Sequence, residues 1–73
     1  MTHLAKYQQT NSWKDKIMIM KFYHISSKST IKQTAAYFRV SVGLVSENLH
    51  LADNLEDIIN CKTRQEALSK LKE

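Results

Sequence analysis

The chain reads as an all-α protein, a small bundle of four to five helices, and three observations carry that reading. Proline is absent and glycine occurs once, so almost nothing in the sequence breaks a helix. Polar pairs with helix-capping spacing recur: Ser12 with Asp15, Thr30 with Gln33, Asp53 with Glu56, and Thr63 with Glu66. At that spacing a hydroxyl or carboxylate takes an orphan N–H of the first turn and the later side chain can reach back to the cap. Behind these signals apolar residues return every three or four positions, the period of one helix face.

Residues 1–11 are polar and lack periodicity, so they are read as a flexible N-terminal arm, with the domain proper running over 12–73. The Ser12 signal opens a first helix from Trp13 to about His24. Its stripe Trp13, Ile17, Met20 and Tyr23 suits packing on later helices, whereas Met18, Phe22 and Ile25 point to another side. Either the fold wraps this helix on both sides, the reading favoured here, or the second patch meets another subunit. The segment Ser26–Ser29 is a short polar connection.

Thr30 caps the next helix, in which Ile31, Ala35 and Phe38 form a single apolar stripe and Lys32, Gln33 and Arg39 lie off it. Ser41 offers a second cap. Beyond it Leu44, Val45, Leu49 and Ala52 share one side of a helix, and Gly43, Ser46, Glu47 and His50 share the opposite side. A short helix over Asn54–Asn60 follows, unless it continues the preceding one. Thr63 then opens a last helix with Ala67, Leu68 and Leu71 on one face. That narrow face either closes the core or pairs with its copy across a two-fold axis.

Charge is uneven along the chain. The net value is +4, but residues 1–40 carry +6 and residues 41–73 carry −2. The basic half contains the Thr30 helix and the loop before it, as expected where a surface meets a phosphate backbone. At 73 residues the chain is one domain, near the size at which a single core gives only a few kcal/mol. The single cysteine, Cys61, cannot form an internal disulfide, and no N-terminal apolar run has the length of a signal peptide or membrane span. A cytoplasmic protein is expected.

Thr34-Ala35, Phe38, Val40 and Val45 follow a spacing that resembles the helix-turn-helix of DNA-binding proteins, in which a small residue such as Ala35 lets two helices approach closely. The run SVGLVSENLHLA, followed by TRQEALSKLK, is similar to partition-protein-type helix-turn-helix domains of phages and plasmids. The resemblance covers about a third of the chain. Many family members have glycine just before the residue matching Val40, where φ is positive. This chain has Arg39, which costs about 1 kcal/mol if the turn takes the usual form. The resemblance implies sequence-specific binding of double-stranded DNA by a small homodimeric regulator such as a repressor. The DNA-binding part of a segregation, replication or packaging system is the other role it implies.

Residue roles follow from that implication. Lys28 and Lys32 bracket a helix start, where exposed N–H groups and the positive dipole end favour phosphate. With Thr30, Gln33 and Arg39 they form the expected phosphate-binding set. The second helix would lie in the major groove, making Ser41, Val42, Gly43, Ser46, Glu47 and His50 the expected base readers. Val42 suits a thymine methyl and Glu47 a cytosine amino group, while Gly43 lets backbone come close to DNA. No arginine or lysine stands among these readers, so the commonest guanine contact is missing from the helix itself.

Catalysis and cofactors are not expected. His3, His24, His50 and Cys61 lack the close spacing of a zinc site, and no Gly-rich phosphate loop is present. The competing expectation is a helical protein-interaction module that keeps a helix-turn-helix shape without binding DNA, in keeping with a reader face that carries Glu47 and no cation.

Overall fold

A computed structural model describes residues 2–72, and among these every regular element is helical. The helices are α1 (His3–Gln9), α2 (Trp13–Ser27), α3 (Ile31–Phe38), α4 (Val42–Asp53), α5 (Leu55–Ile58) and α6 (Arg64–Lys72). The all-α bundle is as read from the sequence, with one helix more than the four to five expected.

The extra helix is α1, in the segment read as a flexible arm. Thr2 caps it by accepting from the Ala5 N–H at 3.1 Å. The helix is too short to persist alone, so it depends on what it touches. Leu4 and Tyr7 pack into the cluster around Met20, Ala35, Phe38 and Val45. The Leu4 N–H donates to the Tyr37 hydroxyl at 3.2 Å, and the Lys16 ammonium lies 4.5 Å from the centre of the Tyr7 ring. Two apolar residues one turn apart are too weak a periodic signal to read from sequence.

α2 is the axis of the molecule. It runs past His24 to Ser27 because Ser26 and Ser27, read as loop, turn their hydroxyls onto the Tyr23 carbonyl, at 3.4 and 2.6 Å. The stripe Trp13, Ile17, Met20 and Tyr23 splits between two apolar clusters. Ile17 joins Leu51, Ala52, Ile58, Cys61, Ala67 and Leu68, with Trp13, Met18, Leu55 and Leu71 at the edge. Met20 joins α3 and the start of α4, with Tyr23 beside it. α4 spans both clusters from the other side, giving Val45 to one and Leu51 and Ala52 to the other.

The last helix closes the core internally: Ala67 is fully buried and Leu68 is 7% exposed. The Trp13 indole N–H donates to the Lys62 carbonyl at 3.0 Å, and Lys14 reaches the Ile59 carbonyl, so the α5–α6 connection is tied to the start of α2. The T-x-x-E signal works with a shift. Thr63 accepts from the Glu66 N–H, but the Glu66 carboxylate takes the N–H of Lys62.

Two sequence expectations about burial are corrected. The fold does not wrap α2 on both sides along its whole length: Met18 packs at the edge of the core, but Phe22 is 57% and Ile25 60% exposed. Nor does Ile31 join the core stripe of α3, where it is 38% exposed and Thr34 is fully buried in its place. With Ala35 and Phe38 already facing inward, the core-facing arc of the helix includes Thr34 and leaves Ile31 at its margin. The Thr34 hydroxyl is satisfied by His24 Nδ1 at 2.8 Å, as a buried hydroxyl requires.

Candidate nucleic-acid interface

α3 and α4 meet across a three-residue turn whose geometry the side chains dictate. Thr30 accepts from the Gln33 N–H at 3.1 Å, and Gln33 accepts from the Thr30 N–H at 2.9 Å, the full reciprocal cap. At the far end Arg39 adopts φ 61°, ψ 44°. Its N–H donates to Ala36 at 3.3 Å and the Val40 N–H donates to Ala35 at 3.0 Å. These two bonds are the Schellman closure, and its left-handed residue is ordinarily glycine. Ser41 then starts α4, accepting from the Leu44 N–H at 3.1 Å.

The outward side of α4 is open. Ser41, Val42, Gly43, Ser46, Glu47 and His50 are all exposed, while Val45, Asn48, Leu51 and Ala52 are buried beneath them. Among the expected readers, Ser41 has committed one lone pair to the cap and keeps its O–H and a second lone pair. Asn54 donates to the His50 carbonyl at 2.8 Å and lies 3.5 Å from His50 Nδ1. Gly43 has no positive φ, and a Cβ built on it would meet nothing within 4 Å. The fold itself therefore gives no reason for glycine there.

Apart from Lys6, exposed on α1, the cations of the basic half divide into two groups. Lys14, Lys16 and Lys21 are spent on the fold: Lys14 on the Ile59 carbonyl, Lys16 over Tyr7, and Lys21 on Asp53 at 3.1 Å. Lys28, Lys32 and Arg39 are exposed, and none makes a side-chain hydrogen bond or ion pair among the described residues. Lys28 ends α2 at φ 54° and Arg39 ends α3 at φ 61°. Both positions at which glycine would relieve the backbone thus hold a free cation beside the α3–α4 pair. Thr30 and Gln33 are exposed as well; their caps leave the threonine O–H and the glutamine NH₂ to donate outward.

One residue at this face was missed by the sequence reading. Arg64, the first residue of α6, donates through Nε to Asn48 Oδ1 at 2.8 Å and through Nη2 to Glu47 Oε1 at 3.0 Å. Asn48 is 2% exposed, and its NH₂ faces the Met20 sulfur at 3.6 Å. Glu47 is therefore an ion-paired carboxylate, and the open side of α4 has a guanidinium at its rim after all. No local spacing signals this contact, because the partners stand 16 and 17 residues apart.

Among the described residues no group of three His, Cys, Asp or Glu side chains comes together to hold a metal ion, and no helix is long and apolar enough to cross a membrane. Comparison with protein-family models, with characterised proteins and with solved structures finds no match for this chain.

Proposed function

We propose that this chain binds double-stranded DNA sequence-specifically, as a helix-turn-helix protein whose α4 enters the major groove. The observation that carries the reading is the pair of left-handed residues. Lys28 and Arg39 hold strained backbone positions with unpaired cationic side chains, and phosphate contact is a physical reason for a cation at such a place. Lys32 adds a third free cation at the start of α3. The open, largely neutral face of α4 supports the same assignment, since base edges are read by groups not already committed within the protein. A small regulator, such as a repressor of a phage or plasmid system, is the role most in keeping with the sequence resemblance, and its work is binding rather than catalysis.

Salt titration of duplex binding tests this. Log affinity falls linearly with log salt, with a slope of about −0.9 for each phosphate neutralised. Reversing two cations with Lys28→Glu and Lys32→Glu abolishes binding to any sequence. Unchanged affinity in the double variant sinks the docking surface.

A second reading is favoured by a different surface. Phe22 and Ile25 stand exposed on α2, with a groove between α1 and α2 lined by Lys6, Gln9, Asp15, Met18, Ile19 and Phe22. An interaction module would use this face, as would the proposed homodimer. Light scattering over a concentration series separates self-association from a monomer.

A further inference from the structure

Resting on the DNA-binding reading, we propose that Glu47 and Arg64 act together as a single reader of one C·G base pair, with Asn48 as the residue that positions them. The two charged heads lie side by side, Nη2 to Oε1 at 3.0 Å, on the exposed side of α4. A carboxylate only accepts hydrogen bonds and a guanidinium only donates them. The major-groove edge of a C·G pair presents the matching set in the same order: the cytosine amino donor beside the guanine O6 and N7 acceptors. Glu47 alone selects for cytosine on one strand; with Arg64 alongside, both strands of the same pair are read.

The arrangement is more constrained than a surface ion pair, which is held by two flexible stems in water. Arg64 Nε is fixed at 2.8 Å by an amide that is itself buried. An apolar side chain at Asn48 would fill that core position without the cost of burying an amide. The amide instead holds the guanidinium against the side of α4 with Nη2 turned toward Glu47. Glu47 Oε2 and Arg64 Nη1 have no partner among the described residues. The pairing also removes the repulsion that a lone carboxylate would meet between two phosphate backbones.

The test is selection of bound duplexes from a random pool with the full chain, repeated for Glu47→Ala, Arg64→Ala and Arg64→Met, the last keeping the aliphatic stem over α4. The wild-type consensus is expected to contain a C·G pair that all three variants relax at the same position. Discrimination there drops about tenfold or more. In the selected duplex, 7-deazaguanine at that position weakens the wild type and leaves both Arg64 variants unaffected, because the N7 acceptor is the atom removed. A loss of affinity that is uniform across sequences, with an unchanged consensus in the Arg64 variants, overturns the inference and leaves Arg64 as a neutraliser of Glu47. An unchanged wild-type response to 7-deazaguanine overturns it independently of any variant's folding. A wild-type chain that retains no duplex overturns the DNA-binding reading itself, and this inference with it.

Discussion

Tyr23 and Tyr37 stack with ring centroids 3.9 Å apart and planes 9° from parallel, joining α2 to α3. α1 is built on that joint. Its first turn donates to the Tyr37 hydroxyl through Leu4, His3 meets Tyr23 edge-on at 5.6 Å, and Tyr7 tilts over Phe38 at 4.9 Å. Phe38 in turn meets both tyrosines edge-on, at 5.3 and 5.0 Å. The aromatic cluster thus sits directly behind the helix that presents Lys32 and Arg39.

Removing residues 1–11 is therefore expected to destabilise the domain. Half-burial of Leu4 and Tyr7 contributes about 1.5–3 kcal/mol together, taking half the value for full burial of such side chains. For a domain with only a few kcal/mol to lose, the truncated chain should melt at a much lower temperature or lose its near-UV circular dichroism. A truncation that melts with the intact chain would show that α1 contributes nothing to the core.

Arg39→Gly separates stability from binding. Relief of the left-handed backbone at φ 61° is worth about 1 kcal/mol, a rise of roughly 4–8 °C in Tm for a domain of this size. Under the proposed function the same variant loses one phosphate contact, so the salt-dependence slope shrinks in magnitude by about 1. Lys28→Gly, at φ 54°, should behave alike. A variant that gains stability and keeps its slope removes that residue from the interface.

The parts legible in the sequence were those set by local chemistry. The caps at Ser12, Thr30 and Ser41 open α2, α3 and α4 where their spacing placed them, because a cap involves residues three apart and little else. The open side of α4 was readable for the same reason, as one helix period fixes which residues share a face. What escaped was tertiary. α1 exists only through its contacts with α2 and α3, Ser26 and Ser27 read as loop until their hydroxyls bond back to Tyr23, and Arg64 reaches α4 across a gap no spacing rule covers. Thr34 and Asn48 look like surface polar residues in sequence. They are buried because His24 and Arg64 satisfy them, partners from other helices.

Tyr7 gives a pH dependence of known sign. Burial pushes its phenol above the ordinary value of 10.0, and the positive charge of Arg64 draws it partly back. The folded state then holds the phenolic proton more tightly than the unfolded chain, so this contribution to stability is complete below about pH 10 and is lost as pH rises through the folded value. Tyr7→Phe should flatten the alkaline fall in the urea midpoint above about pH 10. Equal slopes in the two proteins would mean that Tyr7 titrates alike in both states.

Gly43 offers the cleanest separation of what the fold needs from what a ligand needs. It occupies the second position of α4, where glycine disfavours the helix, and neither a positive φ nor a crowded Cβ calls for it. Gly43→Ala should therefore stabilise the protein by about 0.5–1 kcal/mol, read as a higher Tm. Such a gain makes the wild-type glycine a stability cost with no return inside the molecule. If α4 lies in a major groove with its first turn close to DNA, the added methyl meets base or backbone, and duplex affinity falls although the protein is more stable. Affinity that rises with stability, or stays level, would mean that no DNA approaches Gly43 closely, and α4 would then have to dock by its Ser46–His50 stretch alone.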